Sequence, residues 1–281
     1  MKIYSRATVL FFFTFVLSGC VGDYKIKRAV DVSDAGAKYT EDVQTLLIFE
    51  QAEYSRLIVR LLAEQSRTEA RYYSAYKHAL NNRDEIKSAV EMVDVLNEYF
   101  LVLGKLAKDD SKDTAATLSS ITDTLKSENI GLSISDSLSN AIPKIGASGA
   151  VAYRGHLIGK AFERDGDLIM LSIRSIRGFL NSERMKFNYL IYKNNMFGRY
   201  QVSKYVSTPE HQLIDRDLER DFVSQTSIST TETAFRDAID ASLAMEIAWI
   251  KTVNGKMTTD EFLTSLDRFS STVKALSQTR N

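Results

Sequence analysis

Apolar positions three and four residues apart recur along most of this chain and predict helices. Val43, Leu46, Leu47, Tyr54, Leu57, Ile58, Leu61 and Leu62 form one such stripe, with Glu50 the one polar residue on it. Thr40 stands ahead as an N-cap, and Glu41 and Asp42 suit the positive end of a helix dipole. The stripe predicts a helix from Thr40 to near Leu80, stopped by Asn81-Asn82. Ile86, Val90, Val93, Leu96, Phe100 and Leu103 predict a second, from Arg83. The short polar break makes the two an antiparallel hairpin. Lys105 to Lys112 is charged and reads as a loop.

A shorter helix follows over Ala115, Leu118, Ile121, Thr122 and Leu125. Asp165-Gly166-Asp167 has turn chemistry. Leu168, Ile169, Leu171, Ile173, Ile176, Leu180, Met185, Tyr189 and Tyr192 then describe another long helix, and Tyr200 to Val206 alternates weakly, as an extended segment does. Thr208-Pro209-Glu210 is a helix start, and Ser224 to Thr231 is a polar break. Ala234, Phe235, Ala238, Ile239, Ala241, Leu243, Ile247 and Ile250 predict an apolar helix that Asn254-Gly255 ends. Thr258 and Glu261 form a capping box ahead of the last helix. Only two prolines interrupt 281 residues, which permits long helices. The expected fold is all-α: a multi-helix bundle of long antiparallel amphipathic helices.

The N-terminal stretch has a different pattern. Lys2 and Arg6 precede the uncharged run Ala7 to Val16, and Leu17-Ser18-Gly19-Cys20 closes it. A positive region, an apolar core and small residues at a cleavage point are the parts of a secretory signal. The run is too short for a permanent span, which needs about 20 apolar residues. Leu17-Ser18-Gly19-Cys20 resembles the bacterial lipoprotein signal. That resemblance covers only the first 22 residues or so. It implies that residues 1–19 are a signal peptide that is removed and that Cys20 becomes the lipid-bearing (palmitate-type) first residue. It also implies that Val21, rather than Asp, after the cysteine favours the outer membrane, facing the periplasm. Each buried methylene contributes about 0.8 kcal/mol, so several chains hold firmly. Residues 20–39, with mixed charge and no sustained period, read as the lipidated cysteine and a tether, on which Lys25, Lys27 and Arg28 can touch anionic headgroups. Residues 40–281 are then the helical domain.

Charge is balanced, 36 basic against 36 acidic residues, which removes any bulk electrostatic case for nucleic acid. Cys20 is the only cysteine, so no disulfide or thiolate metal site is expected. His78, His156 and His211 stand far apart with no carboxylate at ligand spacing, and HExxH is absent. Phosphate-binding glycine loops and a GxSxG elbow are missing too. No catalytic residue, cofactor or metal is therefore expected. The glycine- and alanine-rich segment 145–161 suits close helix packing, and its Lys160, His156 and Arg154 disfavour burial in lipid. Tyr72, Tyr73 and Tyr76 cluster, with Tyr189, Tyr192, Tyr200 and Tyr205 later, and tyrosine is favoured at interfaces.

The expectation is a lipid-anchored envelope protein with a non-catalytic scaffold or partner-binding role. Its partners would be the membrane, through Cys20, and an envelope protein. One alternative is a membrane-active protein that inserts segment 145–161. Another is an envelope hydrolase drawing on His156, Arg154 and Asp167.

Overall fold

The computed structural model describes residues 4–64, 68–108, 112–127, 150–207, 230–256 and 260–278. Six helices make up the described chain: α1 (Tyr4–Glu64), α2 (Glu69–Lys108), α3 (Lys112–Ser127), α4 (Ala150–Ser207), α5 (Thr230–Val253) and α6 (Asp260–Gln278). No strand occurs among the described residues, and the fold is an all-α bundle. Two compact units divide it. The first comprises residues 1–41, 92–174 and 243–264; the second comprises 42–91, 175–242 and 265–281.

The first unit is built around Trp249, which is fully buried. Tyr99, Phe100 and Phe162 meet its ring edge to face, at centroid distances of 6.0, 5.9 and 5.6 Å. Its indole N–H donates to the Gly166 carbonyl at 2.7 Å. α1 and α2 run antiparallel here, with Gly36 against Phe100 and Ser33 against Gly104. A Cβ on Gly36 would lie 2.5 Å from the Phe100 ring, so the ring sits where only glycine leaves room. The second unit buries Leu46, Leu47, Leu180, Phe235 and Phe269, with Phe187 6.2 Å from Phe235.

Several expected boundaries are corrected. Residues 24–38 are not a tether but helix, with Arg28, Ala29, Val32, Ser33, Ala35 and Ala37 buried. Thr40 caps nothing: inside α1, its hydroxyl donates back to the Gly36 and Ala37 carbonyls at 3.0 and 2.8 Å. The helix break falls between Glu64 and Glu69, while Asn81-Asn82 lies within α2 because Asn82 finds a buried partner in Glu183 at 2.9 Å. The expected loop at 105–112 is helix through Lys108, with Leu106 and Ala107 buried.

Asp165-Gly166-Asp167 is no turn. Buried Asp165 accepts from the Arg164 guanidinium at 2.5 and 2.7 Å and from the Tyr99 hydroxyl at 3.2 Å, so its carboxylate does not compete for the backbone. Beside it, a Cβ on Gly166 would stand 3.3 Å from a Val253 methyl. Residues 200–206 are helix as well, in α4.

The stop at Asn254-Gly255 holds. Gly255 has φ +83°, its N–H reaches the Thr252 carbonyl at 3.1 Å, and the Lys256 N–H reaches that of Lys251 at 2.7 Å, a Schellman motif. The helix start at 208–210, most of the break at 224–231 and Thr258 of the capping box lie outside the described residues.

Candidate functional site

Three helix faces in the second unit enclose a cleft of about 380 Å³. α1 supplies Tyr54, Ile58, Leu61 and Leu62; α2 supplies Arg71, Ser74, Ala75 and His78; α4 supplies Lys186, Tyr189, Leu190 and Lys193. Each set follows the three- and four-residue spacing that puts side chains on one side of a helix. Ile58 and Leu190 are the buried apolar members, whereas Arg71, His78, Tyr189 and Lys193 are exposed. The lining thus grades from apolar within to cationic outside, and no acidic side chain belongs to it among the described residues.

Tyrosines crowd the same helix stretches. Tyr72, Tyr73 and Tyr76 of α2 are each more than half exposed, as are Tyr189 and Tyr192 of α4. Tyr72 stacks on Tyr76 at 6.2 Å with 6° between the rings, and meets Tyr73 edge on at 5.8 Å. Lys193 places its ammonium 4.7 Å from the centroid of the Tyr189 ring, a cation–π contact.

Lys186 links the cleft to a buried polar cluster. Its ammonium donates to Glu183 at 2.7 Å and to Glu85, and burial is outweighed by these carboxylates, so its pKa is pushed up to about 12. Glu183 also accepts from Asn82. Glu50 is fully buried, and neither carboxyl oxygen has a hydrogen-bond partner. Burial, with the Glu183 charge adding and Lys186 opposing, raises its pKa to about 9. Glu50 therefore carries its proton at neutral pH. It is absent from the cleft lining, so that proton is not presented to a bound molecule. Burial also raises the Tyr54 phenol and keeps it a neutral donor within the cleft.

Among the residues singled out from sequence, His78 and Tyr189 line the cleft, Tyr72, Tyr73 and Tyr76 are absent from its lining, and His211 lies outside the described residues. His156 is half-buried and Asp167 exposed, both on α4. Eleven residues of helix separate them by roughly 16 Å, so the structure does not bring them together; the side chain of Arg154 is not among those described. In segment 145–161, Gly155, Ile158 and Ala161 are buried in the first unit, and 145–149 lie outside the described residues. Cys20 lies outside the residues whose side chains are described.

Among the described residues, no group of three or more His, Cys, Asp or Glu could hold a metal, and no helix is long and apolar enough to cross a membrane. The cleft and the Glu183–Lys186 pair escaped sequence reading, although Glu50 was visible as the polar interruption of an apolar stripe. The chain matches no protein family, no curated protein and no solved structure.

Proposed function

We propose that this chain is a lipid-anchored protein of the bacterial envelope, held through Cys20 at the outer membrane facing the periplasm, that binds a partner without catalysis. The lipobox supports the anchor. The observation that carries the binding role is the cluster of three exposed, mutually contacting tyrosines on α2, Tyr72, Tyr73 and Tyr76. Monomeric surfaces rarely leave so many large rings together in water, and such rings mark interaction surfaces.

A photo-crosslinking residue at Tyr73 tests the binding role in cells. A discrete adduct with one envelope protein is expected there and not at exposed Lys87. No adduct, or equal adducts at both positions, would refute it. For the anchor, Cys20→Ser is expected to abolish labelling by an alkyne-bearing palmitate and to leave residues 1–19 attached. Unchanged labelling would remove the anchor.

A further inference from the structure

Three helices of the first unit bring cations to one place. Lys25 and Lys27 stand on α1, Lys160 on α4, Lys251 in the last turn of α5 and Lys256 just beyond it. Two contacts join these stretches. A Cβ on Gly159, beside Lys160, would lie 3.3 Å from the Lys25 ammonium. One turn along α1 from Lys25, the Arg28 guanidinium donates to the Thr252 carbonyl at 2.8 Å. Residues 24–30, 155–161 and 250–256 contain no Asp or Glu. Among the described residues no carboxylate pairs with any of the five lysines, and Lys27, Lys160 and Lys256 are exposed. Arg28 differs: buried and bonded inside the unit, it holds the stretches together and does not face outward.

Like charges gathered without counter-charge raise the local potential and favour an anionic partner. Their place in the chain selects which one. Lys25 and Lys27 follow Cys20 along continuous helix by about 8 and 11 Å. A bilayer holding a lipid on Cys20 would thus lie about one screening length away, about 10 Å at 0.1 M salt. Tyr24 is exposed on the same turn, and amphipathic rings settle at the level of lipid head groups. We propose that Lys25, Lys27, Lys160, Lys251 and Lys256 form one face that lies on an anionic phospholipid bilayer and binds its phosphates. The inference rests on the lipid-anchor reading for the place of the bilayer and goes beyond it. A lipid fixes one point, whereas cations from three helices fix how the first unit is turned.

The test is lysine footprinting of the full chain, inserted from detergent into preformed phosphatidylcholine vesicles with or without one-third phosphatidylglycerol. A membrane-impermeant acetylating reagent is added, and mass spectrometry reads the rate at each lysine. Each cation near an anionic surface is worth about a factor of five in binding. Acetylation at Lys27, Lys160 and Lys256 is expected to slow at least about fivefold on the anionic vesicles, with exposed Lys87 of α2 unchanged. In about 1 M salt, where the screening length falls to about 3 Å, the protection should vanish. Lys160→Glu combined with Lys256→Glu should return Lys25 and Lys27 to their rates on neutral vesicles, and the two Arg replacements should keep the protection. Trp249 emission shows whether each variant retains the fold of the first unit.

Equal rates on the two kinds of vesicle, protection that survives salt, or indifference of a folded variant to the two charge reversals would overturn the proposal and leave the cations to an acidic protein. Palmitate labelling of Cys20 is read separately. Lipidated chains without protection would remove this face and keep the anchor, whereas protection in unlipidated chains would keep the face and remove the anchor.

Discussion

Glu50→Gln should stabilise the protein at neutral pH, against the usual cost of altering a buried residue. In the folded chain Glu50 is fully buried, unpartnered, and has its pKa raised to about 9 from an ordinary value of 4.5. Between those two values the folded state holds a proton that the unfolded state has released. Unfolding therefore becomes easier as pH rises, by about 1.4 kcal/mol for each pH unit. At pH 7 the accumulated penalty is about 3 kcal/mol relative to pH 4.5, a large share of a typical domain's stability.

Glutamine keeps the shape, stays neutral at every pH and carries no such penalty. The assay is urea unfolding followed by far-UV ellipticity at pH 5, 6, 7 and 8, on both chains. Other groups titrating in that window are common to both, so the difference between the curves isolates Glu50. Lys186, raised to about 12, loses its contribution only above about pH 10.5 and does not enter. The expected difference is small at pH 5 and grows by more than 1 kcal/mol per unit toward pH 8. Parallel curves would refute the buried, protonated state of Glu50.

Two further substitutions probe the first unit, where Trp249, the only tryptophan, provides the signal. Arg28 is buried, and its guanidinium donates to the Thr252 carbonyl at 2.8 Å, at the C-terminal end of α5 where a cation is favoured. Burial lowers its pKa, so part of this gain is offset, and Arg28→Met should cost about 1–2 kcal/mol in urea unfolding read by Trp249 emission; no loss would mean that desolvation outweighs the bond. Gly36→Ala drives a Cβ into the Phe100 ring at 2.5 Å and should cost about 1–3 kcal/mol, with Phe100→Leu in the same chain recovering part of it; a thermal midpoint unchanged by Gly36→Ala would contradict the packing.

The residues that misled sequence reading share one physical cause. Asn82 and Asp165 have strong turn and break preferences, but each finds a buried partner from another stretch of the same unit, Glu183 and Tyr99 respectively, and the helix runs on. Partners 101 and 66 residues away leave no local trace. Gly255 was legible because its constraint is local: φ +83° favours glycine whatever surrounds it. The stretch 24–38 shows no sustained period because most of its buried positions are small, namely Ala29, Ser33, Ala35 and Ala37, with Val32 the one larger apolar side chain among them, and periodicity is sought in large side chains. Each wall of the cleft shows helical spacing on its own. Which walls converge depends on the registers of α1, α2 and α4, which no single stripe encodes.

Helix over 24–38 changes what an anchor at Cys20 would do. A flexible tether of 18 residues would let the domain wander by about 23 Å from the bilayer. Helix instead joins Cys20 to Arg28 in about 12 Å, and Arg28 is fastened to Thr252. On the lipid-anchor reading the first unit is thus held at the membrane surface with almost no slack, and the stretch after the cysteine is part of the core rather than a spacer. Deleting residues 21–38 separates the two descriptions. Removal of a spacer would leave the protein folded and only shorten its reach. Here the deletion takes away Ala29 and Val32 together with the Arg28 bond to α5, and it should unfold the first unit, with Trp249 emission shifting to that of a solvated indole. Native emission from the deleted chain would restore the tether.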